Sequence, residues 1–405
     1  MLQWFIVGKR QKNLKIKKIE LNNYRNYSNL TLEFSPDVNV IVGNNAQGKT
    51  NLLEAIFFSA IGKSLRTSKE NDLIKWQESN ARIKTEIEKK FGKSVVEIIF
   101  STASKKTVKI NNIPIKRIGE LLGELRCVYF SPDELKLIKE SPEDRRRFMD
   151  IDISQTSKTY FYLLGKYDKI LASRNKLLKD YKDKIKIIKT SKSYKLLKDE
   201  QNIQKSEELK DMLDIYDIQL AETASRIIVY RQNFIESLAP YANKAHRFLS
   251  SNEESLICKY QTDFDLNTEE IELKEKEKLY NLILLELYKQ NFEKDVYLSH
   301  TSIGPHRDDI EVLLNDIDVR NFGSQGQQRT AALSLKLAEI EIIRNQTGET
   351  PVLILDDVLS ELDLNRRKKL LKFCSLCQTF ISSTDIDESL ENSKIIKIEK
   401  GKVVS

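Results

Sequence analysis

The sequence predicts an α/β fold: a head domain whose two halves are separated in the chain by an inserted antiparallel helical arm, a short coiled coil. Three observations carry this. A short β-branched strand, Val38–Val42, runs into a glycine loop followed by a helix-spaced segment. A second buried strand, Val352–Leu355, lies far downstream and ends in two aspartates. Between them, from about residue 155, the apolar period changes from two to an alternation of three and four, which is the change from strand to helix. The expected division is an extension at 1–13, the first half of the head at 14–154, the arm at 155–295 and the second half of the head at 296–405.

Composition narrows the class. The 405 residues carry 67 Lys and Arg against 60 Asp and Glu, a net charge of +7, with 31% charged and 40% hydrophobic residues. That balance excludes a disordered chain. No apolar run reaches the roughly 18 residues of a membrane span. The Leu2–Val7 run is too short for the apolar core of a signal peptide and lacks a small-residue cleavage site behind it. Four cysteines exclude a disulfide framework and fit a reducing cytoplasm. With only 13 glycines in the chain, a glycine cluster is expected to serve the backbone.

In chain order, Ile16, Ile19 and Leu21, then Leu30, Leu32 and Phe34, mark two strands joined by an aromatic and amide turn at 22–27. Val38–Val42 is β-branched and apolar apart from Asn39, the pattern of a strand buried on both faces. Asn51–Ile61 is helical. The stretch 81–130 is β-rich, with strands at Val95–Phe100, at Val108–Ile115 around an Asn111–Asn112 turn, and at Cys127–Phe130. Two heptad seams follow, Leu164–Ile188 and Leu209–Phe234, separated by a polar Lys/Ser stretch, so they fold back on one another. The first seam would span about 37 Å, a short arm. Ile310–Leu314 is a strand, Thr330–Arg344 a helix, Val352–Leu355 a strand, Asn365–Ser375 a helix and Phe380–Ser383 a final core strand.

The glycine loop Gly43-Asn44-Asn45-Ala46-Gln47-Gly48-Lys49-Thr50 has the full phosphate-loop pattern between a strand and a helix. Its glycines free backbone N–H groups to cradle phosphates, Lys49 neutralises the β/γ oxygens, and the Thr50 hydroxyl suits Mg²⁺. Such a site needs a carboxylate at the end of a neighbouring strand. Asp356 is the candidate Mg²⁺ ligand, directly or through water, and Asp357 is placed to orient or deprotonate the attacking water. A second glycine turn, Phe322-Gly323-Ser324-Gln325-Gly326-Gln327, opens a helix about 30 residues before Asp356. A helix start bearing a serine is an anion site, and one nucleotide has no use for two from one chain. The reading is that Ser324, Gln325, Gly326 and Gln327 close over a γ-phosphate held by a second protomer. Ser360 and Asp363, just past the paired acids, fit a subunit-contact loop beside the same phosphates.

Phosphate loop, signature turn, paired-acid strand and contact loop together resemble the ATP-binding-cassette ATPases, and the helical insertion resembles their DNA-maintenance branch with the SMC proteins. Five further strings are similar to the RecF family: Leu21–Tyr27, Gly48–Ile56, Gly62–Thr67, Ser141–Asp150 and Gly304–Asp309, with Asp356–Asp363 completing the set. The resemblance covers about residues 14–400. It implies an ABC-type ATPase head, ATP and Mg²⁺ as ligands, and a cytoplasmic protein of recombinational repair and replication-fork maintenance. It further implies ATP-driven head-to-head homodimers on double-stranded DNA at gap junctions, slow and DNA-stimulated hydrolysis that releases them, and RecA loading with RecO and RecR. Arg66 resembles the arginine that approaches the nucleotide in SMC-type heads. Thr384 stands where a switch histidine is expected, and Phe130-Ser131-Pro132-Asp133 corresponds to the glutamine loop without its glutamine. Asp357 replaces the glutamate of transporter cassettes. These departures imply a slow switch. Family members begin at Leu14, so residues 1–13 are read as the product of a misassigned start.

Residues 166–198 hold twelve Lys or Arg against three Asp. Charge alone fits either a phosphate-binding face or a solvated helix; the resemblance favours DNA backbone contact, with Lys176, Lys179, Lys182, Lys184, Lys186 and Lys189 as candidates. Arg145-Arg146-Arg147 fit phosphate binding or internal ion pairs with Glu143, Asp144 and Asp150. Cys374-x-x-Cys377 has no second pair nearby, so a zinc site is not expected. His306 receives no role from the sequence. A long-armed tether is disfavoured by the arm's length, and a transporter subunit by the presence of the arm.

Overall fold

The computed structural model describes residues 14–190, 200–264, 271–385, 390 and 393–404. The extension at 1–13 and the middle of the polar stretch between the arm helices lie outside the described residues.

Two six-stranded sheets and a helical arm make up the head and its insertion. The first sheet is antiparallel, in the order β2-β1-β4-β5-β6-β7, from β1 (Lys15–Tyr24), β2 (Tyr27–Glu33), β4 (Asn80–Lys89), β5 (Gly92–Ser101), β6 (Thr107–Ile110) and β7 (Ile113–Pro114). Its inward residues alternate, with one break: Ile16 and Ile19 both point inward although three apart, because the β1–β4 register shifts between Ile16 and Lys18. The sequence reading does not single out β4, whose buried residues Ala81, Ile83, Thr85 and Ile87 are interleaved with charged ones.

The second sheet runs β15-β14-β3-β13-β12-β8. Its members are β3 (Val38–Val42), β8 (Cys127–Phe130), β12 (Val352–Asp356), β13 (Thr379–Ser383), β14 (Lys394–Glu399) and β15 (Lys402–Val404), and all neighbours but β14–β15 are parallel. The phosphate-loop helix (Lys49–Ile61) fills the space between the two sheets with Leu52, Leu53, Ile56 and Phe57. Ile41, Tyr129, Ile354 and Phe380 face that core, while Val40, Val42, Leu355 and Ile381 face a second core with the signature helix (Gln325–Thr347). Burial on both faces is what the apolar runs encode. Phe380–Ser383 is not the final core strand as the sequence suggests: β14 adds beside β3, with only Ile396 and Ile398 buried and Lys397 between them, too weak an alternation to stand out.

The arm consists of helices Lys158–Thr190 and Glu200–Leu249, packed on each other. The second is 50 residues long, about 75 Å at 1.5 Å per residue, longer than its seam predicts. It continues past Phe234 into the head, where Leu238, Ala242, Ala245 and Leu249 join the core against the signature helix. The segment read as arm also supplies a strand, β9 (Leu256–Gln261), paired antiparallel with β10 (Asp309–Leu314) of the second half of the head; β11 (Ile317–Asp318) completes that small sheet.

Candidate functional site

The phosphate loop is a backbone structure braced from outside. Gly48 lies at φ 117°, in the region that favours glycine, and a Cβ there would sit 2.5 Å from Asn26 Nδ2 and 2.8 Å from the Tyr27 hydroxyl. Both groups belong to the β1–β2 turn and hold the loop: Tyr27 OH donates to the Gly48 carbonyl at 2.8 Å, and Asn26 Nδ2 to the Gln47 carbonyl at 2.9 Å. Asn44, Asn45 and Ala46 form the exposed rim. Lys49 is nearly buried and turns back across the loop, donating to the carbonyls of Gly43 (2.5 Å) and Asn44 (3.1 Å). No acidic residue occupies the first turn of the helix, so its positive end is free for an anion.

Asp356 ends β12 and is held by three hydroxyls. Its Oδ1 accepts from Thr50 Oγ1 at 3.1 Å and from Ser382 Oγ at 2.6 Å; its Oδ2 accepts from Tyr129 OH at 2.8 Å. Burial, reinforced by Asp356, pushes the Tyr129 phenol far above its ordinary range, so it remains a donor. A hydroxyl and a carboxylate oxygen 3.1 Å apart are the hard oxygen pair that Mg²⁺ takes. Sequence reasoning missed Tyr129 and Ser382, since neither lies in a motif; their signal is position, at the ends of the two strands that flank β12. Asp357 follows at φ 56°, its N–H donating to Ser382 Oγ at 2.8 Å. A cavity of about 570 Å³ opens here, lined by Thr50, Arg66, Tyr129, Asp133, Asp356 and Asp357 among others. Arg66 reaches Asn51 Oδ1 at 3.3 Å, and its segment is stapled to the phosphate-loop helix by Ser64 on the buried Glu54. Thr384 bonds Asp385, one residue past Ser383, whose carbonyl accepts from Gly43 N.

The signature turn is elsewhere. Ser324 caps its helix, accepting from Gln327 N at 3.3 Å, while Gln327 Oε1 accepts from Ser324 N at 2.8 Å. None of Ser324, Gln325, Gly326 and Gln327 lines the cavity at Asp356. Ser360 Oγ donates to the Asp357 carbonyl at 2.8 Å, and Asp363 caps the helix Leu364–Cys374 by accepting from Arg366 N at 2.9 Å. The same bond holds the exposed Asp363 carboxyl below its ordinary range.

The expected ion pairs of the arginine trio do not form. Arg145 is buried and pairs with Asp309 of β10, and Asp150 is taken by Arg231 of the arm, at 2.9 Å. Arg146 and Arg147 donate to the backbone carbonyls of Asp308 (2.8 Å) and Leu65 (3.0 Å). Arg174, one of the twelve basic residues of 166–198, is fully buried between Asp217 and Asp295 and offers nothing to a ligand. Lys176 and Lys179 are exposed; Lys182 bonds the Tyr297 carbonyl at 2.5 Å. The side chains of Lys184, Lys186 and Lys189 lie outside the described residues. His306 is a strut: its Nε2–H donates to the Thr301 carbonyl at 3.0 Å, and Nδ1 accepts from Tyr167 OH at 2.6 Å. Cys374 and Cys377 are buried free thiols, and among the described residues no cluster of three potential metal ligands occurs.

Comparison with known proteins agrees with this geometry. The RecF/RecN/SMC N-terminal domain family matches residues 15–403. DNA replication and repair protein RecF of Clostridium botulinum (strain 657 / Type Ba4) is 42% identical over 393 residues, 96% of this chain and 99% of that protein. The RecF of Clostridium perfringens (strain SM101 / Type A) is 41% identical over the same shares. Solved structures of the recombination mediator protein RecF in the RecFOR pathway, with ATPrS and with ATP, superpose with a TM-score of 0.83 at 37% and 36% identity. They cover 96% and 97% of this chain, and this chain covers 98% and 97% of theirs. The Smc head domain of Pyrococcus furiosus, at 19% identity and a TM-score of 0.53 over 96% of both chains, shares the fold. The chain belongs to the bacterial RecF family of DNA replication and repair proteins, within the ABC/SMC-like ATPases.

Proposed function

We propose that this chain is an ATP-switched DNA-binding protein of recombinational repair and replication-fork maintenance, in the cytoplasm. ATP binds at Gly43–Thr50, with Arg66 beside it. Thr50 and Asp356 would hold Mg²⁺, which supplies charge neutralisation to the β- and γ-phosphates when bound. The observation that carries the reading is the separation of two anion sites within one chain: the phosphate loop with Asp356, and the capped turn at Ser324 outside that cavity. A second copy supplies the missing turn. Only the dimer then offers both sites, so ATP binding favours it by the difference. Moving a population from 1:99 to 99:1 requires about 5.5 kcal/mol of such differential binding, within reach of two composite sites.

Hydrolysis follows by water positioned at Asp357; it is weak because Asp357 is shorter than a glutamate and Thr384 lacks an imidazole, and DNA stimulates it. Ser360 and Asp363 meet the partner copy, and Lys176, Lys179, Lys182, Lys184, Lys186 and Lys189 contact the backbone of double-stranded or gapped DNA. Release after hydrolysis leaves the junction to RecO and RecR for RecA loading. That solved RecF structures carry ATP and belong to the RecFOR pathway supports this assignment, and no helix among the described residues is long and apolar enough to cross a membrane. Size-exclusion light scattering with a non-hydrolysable ATP analogue tests it: the wild type should double in mass, and Ser324→Arg should bind the analogue yet stay monomeric. A normal ATP-driven dimer of that variant would sink the composite site.

A further inference from the structure

The Ser141–Asp150 string and the arm's first helix meet around a second cavity, of about 940 Å³, at the junction of head and arm. Its size is that of a small-molecule site. Six cationic side chains line it against three carboxylates, and one of those, Asp150, is already bonded to Arg231 and Tyr160. Among the described residues only Arg231 of the six has a carboxylate in ion-pair reach, and two of the other five are guanidiniums. Arg146 is half-buried and Arg147 exposed, and each donates only to a backbone carbonyl, with no carboxylate in ion-pair reach among the described residues. A guanidinium removed from water without a counter-ion is a cost that an anionic ligand would relieve.

The facing wall is apolar and aromatic, with Phe161 and the 39%-exposed Tyr162. Beside them stands Gly165, inside the helix Lys158–Thr190, where glycine weakens a helix relative to any ordinary residue. Its φ is helical, and a Cβ built there meets no atom within 4 Å. Neither backbone conformation nor packing calls for glycine at this position; what it does is leave the cavity wall open.

We propose that this junction cavity is a second site, adjoining the ATP cleft with which it shares Phe57, Leu65, Arg147 and Ile151, for a phosphorylated nucleoside: Arg146 and Arg147 receive the phosphate, and the base lies on the Tyr162 side across Gly165. The shared chemistry has two sources, a free nucleotide or the 5′-phosphorylated end of a DNA strand. The test uses full-length protein saturated with a non-hydrolysable ATP analogue, so that the phosphate loop is filled. Two probes are titrated, thymidine 5′-monophosphate by calorimetry and a 5′-phosphorylated, 3′-labelled decathymidine strand by fluorescence anisotropy. The wild type binds at least one of them; the first alone identifies a free nucleotide, the second alone a strand end. Gly165→Leu, which strengthens the helix while filling the wall, and the double variant Arg146→Gln/Arg147→Gln each weaken that binding about tenfold or more, the scale of a charge-assisted contact. In Gly165→Leu, at a position that lines the junction cavity and not the one at Asp356, ATP-analogue affinity and nucleotide-driven dimerisation stay as in the wild type, so failure here is separable from failure of the ATP reading. The proposal falls if neither probe binds, if Gly165→Leu binds as the wild type does, or if an unphosphorylated strand binds equally well.

Discussion

His306 makes the stability of the head–arm junction depend on pH in a calculable way. Burial pushes its imidazole down to about 4, with the Thr301 carbonyl and Asp295 opposing and Arg307 and Arg146 adding to the push. The neutral ring is what the geometry requires, since Nδ1 accepts from Tyr167 OH while Nε2–H donates to Thr301. An unfolded histidine titrates near 6.5. Because the folded value is depressed, the unfolded chain binds the extra proton between about pH 6.5 and 4, and stability falls as pH drops through that window. From pH 7 to pH 5 the loss assigned to this one ring is about 2 kcal/mol. His306→Gln removes the titration and keeps an amide donor for Thr301 and an acceptor for Tyr167. Urea unfolding followed by circular dichroism at pH 7 and pH 5 should therefore show a pH-induced loss about 2 kcal/mol smaller in the variant than in the wild type. All other titrating groups are common to both proteins and cancel. Equal losses in the two would refute the burial argument.

Three other outcomes follow from the site. Lys49→Ala removes the ammonium from the loop and should lower ATP affinity by about a hundredfold or more, measured by calorimetry, which is the scale of a charged hydrogen bond to phosphate. Asp357→Asn should cut single-turnover hydrolysis by about 10²–10⁴, the range for a removed general base, and lengthen the dimer's lifetime; unchanged turnover removes Asp357 from that role. Arg231→Met leaves Asp150 and the fully buried Asp308 without their cation and should cost about 3–5 kcal/mol in chemical denaturation. A loss under about 1 kcal/mol would show that the hydroxyls of Tyr160, on Asp150, and Tyr260, on Asp308, suffice.

How much of this was legible in the chain depended on whether the signal was local. The phosphate loop announces itself because one backbone turn needs Gly43, Gly48 and Lys49 at fixed spacing, and the parallel strands because burial on both faces writes a continuous apolar run. Tyr129 and Ser382 carry no such pattern; they reach Asp356 only through pairing of β8 and β13 with β12, far apart in sequence, and Asn26 and Tyr27, though inside the Leu21–Tyr27 string, meet the loop from the other sheet. The arginine trio shows the opposite failure. Neighbouring Glu143, Asp144 and Asp150 invite local pairs, yet a helix that packs on both the arm and β10 turns Arg145 and Asp150 toward partners 164 and 81 positions away. At Arg174 two signals met, since it is one of the twelve basic residues and also a member of the heptad seam, and the seam position prevails: its side chain is buried.

The same long-range contacts bear on how the arm and the signature turn relate. The second arm helix does not end at the arm; it runs along the signature helix, and near its end His246 meets Ser334 at 3.2 Å and Glu254 at 3.0 Å. Glu254 also accepts from Gln327 Nε2 at 2.7 Å, and Gln327 completes the capping box of Ser324. An arm displaced on its base therefore carries with it the carboxylate that anchors Gln327. A hydrogen bond to a charged group contributes about 1.5–3 kcal/mol, and couplings between sites in allosteric proteins run about 1–3 kcal/mol. The Glu254 contact is thus of the right size to let displacement of the arm bias the geometry of the Ser324 turn, which under the proposed function faces a second copy's nucleotide, with no movement required of the phosphate loop itself.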